Sequence, residues 1–209
     1  MCRRLCFLTS IVLVLVMMPA TAQADLLDNP GFEDGVETPW YNYTESGGST
    51  AVQSGNANSG DWWWEITSGT AFISGLQDIG VPPEPVTLSA YLRNSGESAV
   101  DIELGFDYSP DPMAAPWWYG QSVRGITVPA DNTWALYSFT EFDTEAPGYI
   151  TDPALTSRPM ESYIMKVKIA LITPSSAIGV DDASAVPEPA TIALLGLGTL
   201  MALRRRRHQ

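Results

Sequence analysis

Hydrophobic and polar residues alternate in three stretches of the 209-residue chain with the period of two that a half-buried strand requires. In residues 99–108, Val100, Ile102, Leu104, Phe106 and Tyr108 share one face, and Asp101, Glu103 and Asp107 the other. Residues 86–93 turn Val86, Leu88, Ala90 and Leu92 inward, and residues 163–171 turn Tyr163, Met165, Val167, Ile169 and Leu171 inward. The intervening Lys166 and Lys168 are then expected as solvated charges on an outer face. Less regular strand candidates cover residues 50–54, 62–67, 70–77, 123–128, 134–142 and 177–183. Turn chemistry separates them, as at Gly55-Asn56, Asn94-Ser95-Gly96 and Pro129-Ala130-Asp131-Asn132. No internal stretch has the spacing of a long helix, and about nine short strands joined by turns indicate an all-β, antiparallel β-sandwich. Two connections, 109–122 and 143–159, exceed the roughly 12 residues beyond which a loop in a compact domain often carries function.

Both ends of the chain break this pattern. Residues 5–18 form an apolar run behind Arg3 and Arg4, followed by Pro19 and the small-residue site Ala22-Gln23-Ala24. This is the layout of a secretory signal helix, residues 1–24, cleaved before Asp25. At the other end Val186-Pro187-Glu188-Pro189 precedes an apolar run over 190–203, which stops against Arg204, Arg205, Arg206 and Arg207. As a helix that run is roughly 21 Å long, a marginal span for a hydrocarbon core of about 30 Å. Gly196 and Gly198 would let it pack closely on another helix, and the arginines hold its end on the cytoplasmic side. The chain thus divides into a signal peptide (1–24), a β-sandwich domain (25–185) and a C-terminal tail (186–209).

The order of Pro-Glu-Pro, a short glycine-interrupted transmembrane helix and an arginine cluster resembles the PEP-CTERM sorting signal of Gram-negative bacteria. The resemblance implies an exosortase-type membrane transpeptidase as partner and transient anchoring in the inner membrane through the C-terminal helix. Removal of the tail near Pro189 and export to the cell surface or extracellular matrix would follow. The alternative is an ordinary C-terminal anchor in which Pro187, Glu188 and Pro189 occur by chance.

Composition narrows the chemistry of what lies between. Residues 25–186 carry 23 acidic against five basic residues, a formal charge of −18 that the whole-chain value of −13 conceals. Such a surface repels phosphate backbones, so no nucleic-acid partner is expected. Clustered carboxylates suit Ca²⁺, although acidity also serves solubility alone. Both cysteines, Cys2 and Cys6, fall in the signal segment, and the sole histidine, His208, lies in the tail. A mature domain without either residue excludes Ser-His-Asp and Cys-His nucleophilic chemistry and histidine-bound transition metals. Paired carboxylates could still serve a hydrolase, but the sequence singles out no pair.

The motifs Asn29-Pro30-Gly31-Phe32-Glu33, residues 72–77 with 86–93, residues 133–138 and Ile178-Gly179-Val180-Asp181-Asp182 resemble, in that order, galactose-binding-like jelly rolls of the carbohydrate-binding-module type. The resemblance implies a structural Ca²⁺ held by Glu33 and by Asp181 or Asp182, with backbone oxygens from residues 54–60. Adjacent strand residues point to opposite faces, so only one of the two aspartates is expected to face the ion. The other reading is that they merely end the last strand. Among the aromatic residues, Trp117, Trp118 and Tyr119 in the Pro-flanked loop are candidate sugar-stacking platforms. The core is expected to take Trp63 or the Trp62 and Trp64 pair, along with Trp40 and Trp134. Together these features describe an exported, non-enzymatic protein that binds glycan or associates with exopolysaccharide in a biofilm. A structural matrix protein is the alternative, and a polysaccharide hydrolase is less favoured.

Overall fold

The structure is a computed structural model that describes residues 24–44, 47–80, 85–110, 120–151 and 163–188. The signal helix, the transmembrane helix, Trp117, Trp118, Tyr119, Pro189 and the four terminal arginines lie outside the described residues.

Eleven strands follow in order: β1 (Tyr41–Thr44), β2 (Ser49–Ser54), β3 (Trp62–Thr67), β4 (Ile73–Ile79), β5 (Val86–Arg93), β6 (Val100–Pro110), β7 (Gly120–Val128), β8 (Ala135–Thr140), β9 (Tyr149–Thr151), β10 (Tyr163–Leu171) and β11 (Ala177–Pro187). They form a six-stranded sheet, β1-β4-β10-β6-β7-β9, and a five-stranded sheet, β2-β3-β11-β5-β8. Every pairing is antiparallel. The expected all-β sandwich is thus the observed architecture, with two strands more than the alternation signalled. β1 is a four-residue edge strand whose tyrosines do not enter the core, so it shows no hydrophobic alternation. β9 is three residues long and sits within what the sequence suggested was one loop, 143–159. β6 and β7 extend toward each other and shorten the other connection to residues 111–119.

The alternation places the core. Ile102, Leu104, Phe106, Tyr108, Met165, Val167, Ile169 and Leu171 face Trp64, Ile66, Leu88, Leu92, Ile178 and Val180 across the two sheets, all essentially without solvent contact. Each such aliphatic or aromatic side chain contributes about 1.5–3 kcal/mol through burial. Trp64 needs Gly75 opposite it, where a Cβ would come within 2.3 Å of the indole. Phe32, Trp40 and Trp64 pack as a triad with centroids 5.3–5.6 Å apart, tying the N-terminal segment to β3. Trp40 and Trp64 are core residues as expected, and Trp62 is partly buried against the core.

Two expectations are corrected. Trp134 precedes β8 and lies outside the core cluster, because its ring packs on Arg93 on the outer side of the five-stranded sheet. Lys166 and Lys168 do point away from the core, but each is only 7% exposed. β10 is the third strand of six and its outer face is the floor of a groove, where neighbouring side chains and acidic partners cover the lysine stems.

Candidate functional site

The groove, of ≈ 850 Å³, runs along the outer face of the six-stranded sheet. Register explains its lining. Tyr41 of β1 stands opposite Leu76 of β4, which stands opposite Lys168 of β10. Lys166 stands opposite Asp107 of β6, and Asp107 opposite Gln121 of β7. Every second residue of each strand therefore projects onto one surface, with tyrosines at the β1 edge and charged groups toward the middle.

Tyr41 is 36% exposed and Tyr43 52%, large values for aromatic rings beside an apolar wall formed by Phe72 and Leu76. The Tyr41 hydroxyl donates to Asp78 Oδ1 at 2.6 Å, and Lys166 Nζ lies 5.9 Å from the ring centroid. Tyr43 leans on Phe72 with centroids 6.2 Å apart. Burial and the Asp78 carboxylate hold the Tyr41 phenol well above its ordinary pKa, so it stays a neutral hydroxyl.

On the floor, Lys168 Nζ donates to Gln121 Oε1 at 2.7 Å and pairs with Glu103 Oε2 at 3.0 Å and Asp107 Oδ1 at 3.5 Å. Its ammonium is committed to these three acceptors. Burial pushes the Asp107 carboxyl above the usual carboxylate range, and Lys168 works against that shift. Asp107 Oδ1 and Ser109 Oγ are buried without a hydrogen-bond partner among the described residues. Buried polar atoms of that kind carry a desolvation cost that a ligand hydroxyl can relieve.

The carboxylates expected at a cation site also come together, and in a way that alternation did not foresee. The β11–β5 register shifts between Asp181 and Ser184, and Asp182 adopts a φ of 44°. This bulge turns both aspartates to the same loop, where an unbroken strand would point them to opposite faces. Asp181 Oδ2 accepts from the Asn58 and Ser59 amides at 2.7 and 3.2 Å, while Asp182 accepts from Asn58 Nδ2 at 2.8 Å and Ser59 Oγ at 2.7 Å. Glu33 Oε2 accepts from the Asp61 amide at 3.1 Å. Gly60, at φ 59°, lies so close that a Cβ there would be 2.2 Å from the Glu33 carboxylate. A Cβ on Gly31 would stand 3.3 Å from Asp182 Oδ1, 3.6 Å from Glu33 Cγ and 3.8 Å from Asp181 Oδ1, so the missing side chain leaves a cradle among the three acids.

The donors are all oxygen, which fits a hard cation such as Ca²⁺. As placed, they hold amide and hydroxyl donors instead. No group of three or more His, Cys, Asp or Glu side chains among the described residues is arranged to hold a metal ion. An incoming ion would have to displace the Asn58 and Ser59 hydrogen bonds. Burial, with a smaller push from the Asp182 carboxylate, moves the Asp181 carboxyl up to about 6, against the backbone amides that hydrogen-bond to it.

On the outer side of the other sheet, Arg93 lies between Trp63 and Trp134, its Cζ 4.6 Å from each ring centroid. Arg93 Nη1 and Trp134 Nε1 both donate to the Asn56 carbonyl, at 2.8 and 2.9 Å. This stack clamps the β2–β3 turn to β5 and β8.

Sequence reasoning did not single out Tyr41, Tyr43, Lys168 and Asp107, which line this groove. The signal that could have found Lys168 and Asp107 is the pairing of alternating lysines on one strand with alternating acids on another; it carries nothing about the two tyrosines. Trp117, Trp118 and Tyr119 belong to the segment joining Pro110 of β6 to Gly120 of β7, the strands that carry Ser109 and Gln121 into the groove.

Residues 185–207 match the PEP-CTERM protein-sorting motif, which marks the chain as exported and membrane-transiting. No curated protein matches the sequence. The fold is similar to that of the CBM22-1 xylan-binding domain of Paenibacillus barcinonensis Xyn10C, with 17% identity, a TM-score of 0.56, and coverage of 80% of this chain and 97% of that one. It is similar also to the family 11 carbohydrate-binding module of Clostridium thermocellum, solved with a β-1,3-1,4-mixed-linked tetrasaccharide, with 15% identity, a TM-score of 0.55, and coverage of 78% and 95%. A third similar structure is TmCBM61, solved with β-1,4-galactotriose, with 16% identity, a TM-score of 0.50, and coverage of 79% and 99%. At such identities the likeness is one of fold: an antiparallel two-sheet sandwich of the carbohydrate-binding-module type.

Proposed function

We propose that the chain is an exported, non-catalytic glycan-binding protein whose ligand lies in the groove on the six-stranded sheet. The observation that carries the reading is the floor of that groove, where Ser109 Oγ is buried without a hydrogen-bond partner among the described residues and Asp107 Oδ1 has only its 3.5 Å contact with Lys168, beside exposed tyrosine rings. Sugars have apolar C–H faces that stack on Tyr41 and Tyr43, and hydroxyls that donate to carboxylates and to Ser109. Lys168 is spent on Glu103, Asp107 and Gln121, so at that point the floor offers acceptors to hydroxyls. Trp117, Trp118 and Tyr119 are proposed as further contacts from the adjoining segment. The likeness to a xylan-binding domain and to two modules solved with oligosaccharides supports the class of ligand. Export through the sorting tail would deliver the domain to exopolysaccharide at the cell surface or in a biofilm matrix.

The test is retention on insoluble and immobilised polysaccharides. Tyr41→Ala and Tyr43→Ala, and separately Trp117→Ala with Trp118→Ala, should each weaken retention about 5- to 30-fold, the range for losing one well-stacked aromatic. Undiminished retention after the tyrosine substitutions rules out the groove. If the folded wild-type domain is retained on no polysaccharide, a structural matrix role is favoured.

We further propose that Ca²⁺ occupies the cradle of Glu33, Asp181 and Asp182, supported by the all-oxygen donor set and by the space left beside Gly31.

A further inference from the structure

The sorting motif is not a free tail where it begins. β11 runs through Val186 and Pro187, with Pro187 opposite Val86 in the β5 register. Beyond it, the Glu188 amide donates to the Pro85 carbonyl at 2.6 Å, and Thr87 Oγ1 donates to Glu188 Oε1 at 2.6 Å. Two of the three residues of Pro-Glu-Pro are therefore docked on the folded sandwich, and the glutamate is held by both its backbone and its side chain. The platform is firm. Val86 is fully buried, its amide donates to Glu141 Oε2, and its carbonyl accepts from the Glu141 amide at 2.9 Å. Thr87 Oγ1 is also bonded to Thr140 Oγ1 at 2.8 Å. Between the two partners, the end of β11 is the one that can lift away.

An enzyme that cleaves or transfers at a peptide segment takes it in extended form and uses its main-chain groups and side chains for recognition. A segment already bonded into a sheet has those groups occupied. We infer that docking of Pro187 and Glu188 against β5 restrains processing of the tail, so that the transpeptidase acts on the fraction of molecules in which the end of β11 has peeled from Thr87 and Pro85. This inference rests on the sorting reading and concerns the regulation of that same site. When local opening is fast relative to cleavage, the rate follows the population of the open form.

Thr87→Val tests it without touching the motif. Valine keeps the shape and strand preference of threonine but cannot donate to Glu188. The experiment is pulse-chase of the full chain in cells that carry out the sorting, following conversion of the tail-bearing to the tail-less form. Loss of one hydrogen bond at this half-buried site should speed release of the tail roughly threefold to tenfold. Thr87→Ser, which keeps the hydroxyl, should process at the wild-type rate. So should Thr127→Val, which removes a comparable bond, Thr127 Oγ1 to Asp101 Oδ1, on the other sheet. An unchanged or slower rate for Thr87→Val overturns the inference, and so does an equal acceleration by Thr127→Val. A wild-type chain whose tail is never released overturns the sorting reading, and this inference with it.

Discussion

Lys168→Met is the sharpest probe of the groove floor. It keeps the length of the stem while deleting the ammonium that faces Glu103, Asp107 and Gln121. Removing one partner of a buried ion pair typically costs about 3–5 kcal/mol, because a charge is left buried and uncompensated. Here the Glu103 and Asp107 side chains retain 19% and 14% of their exposure, which screens part of that cost. We expect a loss of about 2–3 kcal/mol at pH 7, or roughly 5–10 °C in the midpoint of thermal unfolding for a domain of this size. The sign of the pH dependence follows from Asp107. Its carboxyl is already raised by burial, and Lys168 is the main influence holding it down. Without the lysine it rises further. A raised folded-state pKa means that stability from this group is fully present below the unfolded value near pH 4 and is lost as pH climbs through the raised value. The deficit of Lys168→Met should therefore be large at pH 7 and small near pH 4. Adding Asp107→Asn should restore most of it at neutral pH. Thermal melts by circular dichroism at both pH values provide the assay. A deficit below about 1 kcal/mol, or one equal at pH 4 and pH 7, would refute this account of the floor.

Arg93→Lys should cost about 1–2 kcal/mol in urea denaturation, because an ammonium keeps the charge but loses the planar stacking between Trp63 and Trp134. For the cradle, Ca²⁺ should raise the melting temperature over that in chelator, since an ion bound by the folded state alone stabilises it. Because the Asp181 carboxyl titrates at about 6, protons compete with the ion, and the shift should be larger at pH 7.5 than at pH 5. In chelator, stability from Asp181 should fall by about 1–2 kcal/mol as pH rises from 4 to 7, after allowance for screening at a site one layer beneath the surface. An identical melting temperature with and without chelator at pH 7.5 would remove the calcium proposal.

The strands that pack against both the core and two neighbours were legible from the chain alone. β5, β3 and β10 begin and end where the residue pattern places them, because their inward positions are filled by Leu, Ile, Val and Trp64. The edges were not. β1 presents Tyr41 and Tyr43 to the groove and not to the core, so hydrophobic alternation carries no information about it. β9 is held by main-chain pairing with Ser122, Val123 and Arg124, and its sequence has little to distinguish it from the turn around it. The bulge at Asp182 was invisible for a different reason. Strand alternation assumes an unbroken register, and it is the break that brings two adjacent carboxylates to one loop.

The candidate groove was hidden by a sound rule applied one layer too far. Residues that alternate away from the core are solvated when their sheet face meets water, and on that ground Lys166 and Lys168 read as surface charges. A central strand changes the outcome. β10 has β4 and β6 as neighbours, and beyond them the tyrosines of β1 and the outward residues of β7 raise the sides of the sheet face. Charges placed there lose water and must find partners. Lys168 does so fully, whereas Ser109 Oγ keeps no hydrogen-bond partner among the described residues and Asp107 Oδ1 has only the longer contact with Lys168. A buried hydroxyl without a partner at the floor of an open groove is one that a ligand can satisfy. That hydroxyl, set beside exposed rings, supports the proposed glycan site more directly than the clustering of tryptophans in the sequence.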